Sequence, residues 1–442
     1  MNAPAHFLDE CLRIKTALPG QDLPWLAGSR AQALAAFTGT GLPTLRDEDW
    51  KYTSVARIEQ GRFFFLAATP DTVAAAELAA EVANLALPGA HLLVFVDGRH
   101  VPALSGVGSL PTGVVVASLA ATLRREPERL QFWLASPRHG KPGGFAALNA
   151  ACMADGAYIH LAPGVVLEAP LHVLFVAATT DLATHSRNLV IAGADSRACI
   201  VEHHARLGAA RYFSNVVTDI VVGPGATIEH HKLQEESAEA FHVAAVYADL
   251  AQGSRFVSSS FALGGALART EIAVALDGEG AQCALDGLYL ATGRQHIDHH
   301  TRIDHSRPHG TSREFYKGVL DGAARAVFNG KVIVHADAQH SDAAQTNRNL
   351  LLSDQAEIDT KPQLEIWADD VKCSHGATVG QLDAEQIFYL RSRGIADAAA
   401  RALLTWGFAA EMVERVPLAP LRARLERLLR ARLPLSGEVL PC

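Results

Sequence analysis

The segment VKCSHGATVGQ carries a cysteine and a histidine two residues apart, Cys373 and His375. In an extended strand the side chains alternate between the two faces, so these two would lie on the same face. A thiolate beside an imidazole is a soft ligand pair that can bind a transition metal with a third partner. The structural alternative is a small buried cysteine beside a surface histidine. The pair follows the last predicted repeat, where a terminal strand has an unpaired edge, and this position favours a functional interpretation.

A second cluster of possible ligands is HIDHHTRIDH, residues 296–305. If the segment is a strand, one face carries His296, Asp298, His300 and Asp304, and the other carries His299 and His305. Donors on one strand face stand nearly 7 Å apart, so one ion would need a neighbouring strand as well. We therefore expect a solvated β-face here rather than a metal site.

Histidine pairs also follow glutamate twice, in Glu202-His203-His204 and Glu229-His230-His231. We expect the two triplets to occupy the same place in two repeats. On that interpretation they reflect repeat architecture and carry no chemistry.

Motifs of nucleotide-dependent and hydrolytic enzymes are absent from the sequence. The segment that ends Gly330-Lys331-Val332 has the wrong spacing for a phosphate-binding loop and lacks the Ser or Thr that binds magnesium. There is no dinucleotide fingerprint, no G-x-S-x-G and no H-E-x-x-H. We therefore expect a protein that is not itself an enzyme and has no nucleotide of its own.

Cysteine usage and the N-terminal sequence suggest a compartment. The six cysteines are scattered, without a Cys-x-x-Cys pair, so we expect neither a disulfide framework nor a local metal cluster. They are Cys11, Cys152, Cys199, Cys283, Cys373 and Cys442. The first residues do not follow the pattern of a signal peptide, and the apolar run from Leu161 to Ala178 is interrupted by proline, glutamate and histidine. We expect a cytoplasmic protein that does not span a membrane.

Composition narrows the class further. The chain has 442 residues, of which 49% are hydrophobic and 19% charged, and its formal net charge is -8. A chain with so few charges buries much of its length, which excludes extensive disorder. Its negative charge argues against a nucleic-acid binder.

Internal repeats suggest how the chain buries its apolar residues. Five similar units are separated by 30, 28, 27 and 29 residues and begin at Ser196, Ala226, Ser254, Ala281 and Gly310. Each unit contains two strand-like runs, and stacked units of this kind share one continuous core. From periodicity alone a β-helix and a large sandwich or barrel both remain open. A left-handed acyltransferase helix is disfavoured because its hexapeptide rhythm is absent.

Helical patterns flank the repeats and divide the chain into three parts. We expect a mixed helical region over 1–145, a β-core over 146–380 and a helical domain over 381–442. Asp97-Gly98 predicts a tight hairpin turn, and Asp383 predicts the start of the first C-terminal helix. An apolar stripe near the end packs on its own chain or, alternatively, binds a partner; its residues are Leu421, Leu425, Leu428 and Leu429.

Two segments resemble a known family. The stretch from Arg348 to Ile395 is similar to the signature of the SufB/SufD family of iron–sulfur cluster assembly scaffolds. The segment PTLRDEDWKYTSV, from Pro43 to Val55, resembles the N-terminal motif of the SufD branch. The absence of clustered N-terminal cysteines places the resemblance in the SufD branch. The resemblance implies a right-handed parallel β-helix between helical ends. It also implies a complex in which the C-terminal end of the β-helix pairs with SufB and the C-terminal helices dock the ATPase SufC.

The resemblance further implies a site and a cargo. His375 matches the family histidine at the SufB–SufD interface, where a nascent iron–sulfur cluster or iron is held transiently, and Cys373 matches the nearby cysteine. Pairing with a second SufD copy is also open. Two other functions would fit the residues: a parallel β-helix enzyme acting on carbohydrate, and a stand-alone metal-binding protein that uses residues 296–305.

Overall fold

The computed structural model of the chain describes residues 4–66, 75–135, 143–208 and 210–433. Its helices are α1 Ala5–Ile14, α2 Pro24–Thr40, α3 Ala56–Glu59, α4 Ala75–Leu85, α5 Leu119–Arg125, α6 Glu128–Leu134, α7 Gly144–Cys152, α8 Ala384–Ser392, α9 Asp397–Glu414 and α10 Ala419–Arg432. No helix among the described residues is long and apolar enough to cross a membrane. Cys442 lies outside the described residues.

Within the described residues, twenty strands lie between the first and last of these helices. The first seven are β1 Phe64–Phe65, β2 His91–Val96, β3 Arg99–His100, β4 Val114–Ser118, β5 Ala157–Leu161, β6 Leu171–Ala177 and β7 Leu182–Ala192. The next seven are β8 Arg197–Arg206, β9 Phe213–Val222, β10 Thr227–Gln234, β11 Phe241–Leu250, β12 Arg255–Ala262, β13 Leu267–Leu276 and β14 Gln282–Ala291. The last six are β15 His296–His305, β16 Thr311–Leu320, β17 Arg325–Val334, β18 Asp342–Leu351, β19 Glu357–Ile366 and β20 Lys372–Gly380.

The strands form two sheets that the chain visits alternately. One sheet runs β19-β17-β15-β13-β11-β9-β7-β5-β4, with β1 also beside β7, and the other runs β20-β18-β16-β14-β12-β10-β8-β6-β2-β3. From β6 onward every neighbouring pair is parallel. Each rung, meaning one even and one odd strand, therefore stacks on the rung before it. This is a parallel β-solenoid of about eight rungs, one for each even strand from β6 to β20.

The predicted repeat boundaries coincide with the rungs. Each of the five unit starts immediately precedes an even strand, from Ser196 before β8 to Gly310 before β16. Gly253 and Gly280 adopt φ angles of 61° and 69° just before two of these strands, a backbone conformation that favours glycine. The mainly β prediction is confirmed, and the solenoid replaces the open alternative of a sandwich or barrel.

The N-terminal region contributes strands to both sheets. β2 pairs in parallel with β6, and β4 pairs antiparallel with β5. The predicted hairpin is present, because β2 and β3 are antiparallel and Asp97 and Gly98 between them both have positive φ. The division of the chain at residues 145 and 380 stays a proposal.

The C-terminal helices pack on the outer face of the even sheet. Asp383 caps α8 by accepting a hydrogen bond from the backbone N–H of Glu385 at 2.8 Å, as the sequence predicts. Three leucines of the stripe are buried and Leu428 is partly buried. They pack with outer-face residues of the sheet, among them Val201, Leu233 and Phe261. The apolar stripe therefore packs on its own chain, which confirms the first of the two interpretations.

One expectation about the cysteines is wrong. A disulfide joins Cys11 of α1 to Cys152 at the end of α7, 141 residues later in the chain. Both cysteines belong to one apolar cluster that includes Phe7 and Phe213. The long separation hides this proximity in the sequence.

Inside the solenoid, polar residues form a buried cluster around Glu202. Its Oε1 lies 2.9 Å from Lys232 Nζ, and its Oε2 accepts hydrogen bonds from Thr218 Oγ1 at 2.6 Å and Asn188 Nδ2 at 3.3 Å. Burial alone would raise the pKa of Glu202, but Lys232 and nearby histidines hold that pKa well below its usual range. The rungs are therefore joined by a charged network as well as by apolar packing.

Candidate functional site

The solenoid ends in an open rung made of β19 and β20. β19 pairs with β17 and β20 pairs with β18, and no strand in the described part of the chain pairs with their other edges. Most of β20 is consequently exposed. An exposed strand edge has unpaired backbone N–H and C=O groups that another chain can bind.

Cys373 and His375 lie on the inner face of this open rung. Their register partners on β18 are Ala343 and Gln345, which are both buried in the interior. Cys373 is partly buried against the core, and burial raises the pKa of its thiol. His375 is exposed. The structure thus places the two residues on one face, as the strand pattern predicts, and their role as ligands stays a prediction.

Polar residues continue behind His375 into the solenoid. His375 is in register with Gln345, which is in register with Glu314 on β16. Gln345 Nε2 donates a hydrogen bond to Glu314 Oε2. Burial raises the pKa of Glu314 to about 7. Glu314, Gln345 and His375 therefore form a row of inward-facing polar side chains on successive strands, and His375 is at its open end.

Exposed apolar side chains lie on and next to the last two strands and on the helix that follows them. Trp367, immediately after β19, is 68% exposed, and Ile366 and Val379 on the two last strands are also exposed. Phe388 and Tyr389 of α8 are 72% and 57% exposed. These side chains are the large apolar groups that the last two strands and α8 offer to a partner.

The structure contradicts the expectation of a solvated face on residues 296–305. Asp298 is fully buried, forms an ion pair with Arg269 and accepts a hydrogen bond from Thr53 Oγ1 at 2.5 Å. Trp50 covers Arg269, with the guanidinium carbon 3.8 Å from the ring centroid. The face is buried because a segment about 245 residues earlier in the chain packs on it, an arrangement that strand periodicity does not reveal. That segment lies within the motif from Pro43 to Val55.

The two Glu-His-His triplets do not occupy the same place in their rungs, so that expectation was wrong. In the pairing of β8 with β10, Glu202 lies opposite Lys232 and Glu229 lies opposite Cys199. The triplets are thus offset by three residues. Glu202 faces the interior, whereas Glu229 and His231 lie on the outer face. Alignment on the rung starts, Ser196 and Ala226, would have given the correct register.

Cys373 and His375 do not form a complete metal site within the described residues. One group of three His, Cys, Asp or Glu side chains there has all its donor atoms within 4.8 Å of one another, and it lies on β8 and β10 instead. A cluster or metal at the open rung would need ligands from another chain.

These features define a class of protein, a parallel β-solenoid with helical ends whose last rung is open and displays a Cys-x-His pair. Comparison with known families agrees with this class. The family described as "SUF system FeS cluster assembly, SufBD core domain" matches residues 175–408, and "SufBD protein N-terminal region" matches residues 1–173. The chain belongs to the SufBD family of the SUF iron–sulfur cluster assembly system.

Individual relatives cover nearly the whole chain. An iron–sulfur cluster assembly SufBD family protein of Synechocystis is 34% identical over 96% of this chain and 94% of its own length. The iron–sulfur cluster assembly protein SufD of Escherichia coli is 34% identical over 91% of this chain and 92% of its own. The chloroplastic protein ABCI7 of Arabidopsis thaliana is 27% identical over 91% of this chain and 85% of its own.

Proposed function

We propose that this chain is a SufD-like scaffold subunit that pairs with SufB through its open rung and holds a nascent iron–sulfur cluster or iron at that interface. The observation that carries the proposal is a pair of possible ligands, the exposed His375 and the partly buried Cys373, at a strand edge that has no partner in the described chain. The edge supports strand pairing with a second solenoid, and the pair supplies only part of a ligand set. The missing ligands would come from SufB.

The two residues would have different roles. His375 is exposed and can turn an imidazole nitrogen toward an ion outside the rung. Cys373 is partly buried against the core, so its sulfur is less accessible to an ion outside the rung. We therefore assign ligand binding to His375 first and give Cys373 a supporting or structural role. The cluster is cargo in this proposal, present only during assembly.

Docking of the SufC ATPase is the second part of the proposal. The chain has no nucleotide motif of its own, so ATP hydrolysis would be carried out by SufC. The apolar faces of α9 and α10 are already buried on the even sheet. Docking would therefore use surfaces that remain exposed, and Phe388 and Tyr389 of α8 are the largest apolar ones on these helices.

The location and the assembly partners complete the proposal. We retain the cytoplasm as the location, where most thiols stay reduced: among the described residues Cys199, Cys283 and Cys373 are unpaired, and Cys11–Cys152 is the one disulfide. A homodimer through the same open rung is the alternative partner arrangement. Measuring the mass of the chain alone and with SufB would separate the two.

The test of the ligand role is His375→Ala in a complex co-expressed with SufB and SufC. Because His375 is exposed, the complex should assemble normally while its iron and acid-labile sulfide fall to background. His335→Ala is the matched control, since His335 is an exposed histidine one rung earlier with its side chain 49% exposed. Wild-type iron and sulfide in the His375→Ala complex would refute the ligand role.

The test of ATPase docking is the pair of substitutions Phe388→Ser and Tyr389→Ser. Truncation after Gly394 is a poorer test, because it would uncover Val201, Leu233 and other apolar residues that α9 and α10 bury. The surface substitutions should leave the melting temperature unchanged and reduce co-purification of SufC at least tenfold. Undiminished binding of SufC would show that α8 is not the docking surface.

A further inference from the structure

Cys199, Glu229 and His231 converge on the outer face of the even sheet. Cys199 on β8 is in register with Glu229 on β10, and His231 follows two residues along the same face. Their donor atoms, a thiol sulfur, a carboxylate oxygen and an imidazole nitrogen, all lie within 4.8 Å of one another. Glu229 and His231 come from β10, and the neighbouring strand β8 supplies the third donor, Cys199.

His231 provides an independent indication of a ligand. Its side chain is fully buried, and neither ring nitrogen makes a hydrogen bond to any described residue. The nearest carboxylate oxygen is Glu229 Oε2, 3.9 Å from Nε2, which is beyond hydrogen-bond distance. Asp286 lies two strands away in the same row, but its carboxylate binds Arg415 at 3.0 Å. A buried imidazole whose two nitrogens make no hydrogen bond is costly, and an ion between these residues would remove that cost.

We propose that Cys199, Glu229 and His231 bind a divalent transition metal ion of the Zn²⁺ or Fe²⁺ type. Thiolate, imidazole and carboxylate are all common ligands of such ions, whereas Mg²⁺ and Ca²⁺ take oxygen ligands. Burial, with a smaller effect of Glu229, raises the pKa of the Cys199 thiol to about 12, so the metal must displace the thiol proton to solvent before the sulfur coordinates it. Three protein ligands leave one position of a tetrahedron for water, and the partial exposure of Cys199 and Glu229 lets water reach it.

Small side-chain movements would close the site. Metal–sulfur and metal–nitrogen distances of about 2.3 and 2.0 Å around a tetrahedral ion bring the ligand atoms to roughly 3.5 Å of each other. Because the donor atoms all lie within 4.8 Å of one another, no pair has to close by more than about 1.3 Å. Cys199 and Glu229 are only partly buried and can make this movement by side-chain rotation, while buried His231 stays in place.

This site is separate from the open rung. Between β8 and β20 there are six strand spacings, or about 29 Å, so the two sites share no residue. Metal binding here does not depend on the proposed role of His375 or on SufB. The proposal can therefore be tested on the isolated full chain.

The test uses Co²⁺ as a spectroscopic probe, followed by displacement with Zn²⁺ and, under anaerobic conditions, by Fe²⁺. The full chain should bind one Co²⁺ with a thiolate-to-cobalt charge-transfer band. Cys199→Ser should abolish that band, and His231→Gln should weaken binding at least tenfold. The double variant Cys373→Ser/His375→Ala is the matched control and should keep the band. Far-ultraviolet circular dichroism and melting temperature would show that each variant is folded.

Three results would overturn the proposal. These are the absence of a thiolate-to-cobalt band in the wild-type chain, a band that persists in folded Cys199→Ser, and a band that disappears in the Cys373→Ser/His375→Ala control. Displacement by Zn²⁺ alone would identify a zinc site, and displacement by Fe²⁺ at comparable concentration would identify a site that iron also occupies. Either displacement result supports a transition-metal site at Cys199.

Discussion

Lys232 and Glu202 form an ion pair between two rungs in the interior of the solenoid, and we expect Lys232→Met to destabilise the protein strongly. The two charged atoms are 2.9 Å apart, and the side chains are 1% and 3% exposed. Methionine fills much of the volume of lysine but leaves Glu202 without its cation. Glu202 keeps hydrogen bonds from the neutral groups of Thr218 and Asn188, and it also contacts the rings of His204 and His230. Burial lowers the pKa of His204 to about 3, so this ring is neutral at pH 7 and does not replace the cation.

The size of the effect follows from this geometry. At 2.9 Å and an effective dielectric constant of about 20, the gross Coulomb attraction is about 6 kcal/mol, much of which offsets the desolvation of the two charges. Removing one partner of a buried pair costs about 3–5 kcal/mol, because the other charge stays buried without compensation. Lys232→Met combined with Glu202→Gln removes both charges. We expect the double variant to lose less free energy of unfolding than the single Lys232→Met variant.

Guanidinium denaturation of the full chain, followed by circular dichroism, measures these differences. The matched control is Arg325→Met, which breaks a 3.0 Å pair with Glu357 that also bridges two rungs, although its side chains are 63% and 60% exposed. That exposed pair should contribute about 0–1 kcal/mol. The reasoning would be refuted if Lys232→Met cost no more than Arg325→Met, or if the double variant lost the sum of the two single losses.

Two further predictions concern a buried acid and a glycine at a close contact between rungs. The folded-state pKa of Glu314 is about 7 against an ordinary value of 4.5, so the folded protein keeps a proton that the unfolded chain loses, and stability falls as pH rises between these values. The free energy of unfolding of Glu314→Gln should equal that of the wild type near pH 4.5 and exceed it by about 3 kcal/mol at pH 8. Chemical denaturation at several pH values across this range measures the difference. A difference that does not change with pH would contradict the prediction. Gly278→Ala should lower the melting temperature, because the added Cβ would lie 1.9 Å from the backbone nitrogen of Gln252. The control is Gly28→Ala in α2, where an added Cβ has no atom within 4 Å. This substitution should leave the melting temperature unchanged or raise it.

Local signals in the sequence predicted the elements well. Turns before Ala226, Ser254 and Ala281 marked the rung starts, because glycine and proline are required where the chain changes sheet. The alternation of side chains along a strand placed Cys373 and His375 on one face, because residues two apart in a strand point to the same side. These features depend on residues that are neighbours in the chain.

Features that depend on distant residues were missed. The face of β15 looked solvated because its charged residues alternate like a surface strand, yet Trp50 and Thr53 bury it. Cys11 and Cys152 meet across 141 residues. The convergence of Cys199 with Glu229 and His231 was missed because the similarity of two tripeptides suggested a register that the rung starts contradict.

The placement of the candidate cluster ligand follows from the way a solenoid is built. Every inner rung has a rung on each side, so its inward-facing residues are buried, as Glu314 and Gln345 are. His375 holds the equivalent position in the last rung and is exposed only because nothing in the described chain stacks on it. A ligand on an inward-facing position of a terminal rung is therefore rigidly positioned by the strand ladder behind it and open in the direction from which a partner solenoid would come. A ligand on an inner rung would be rigidly positioned but closed to a partner. A ligand on a surface loop would be open to a partner but not rigidly positioned.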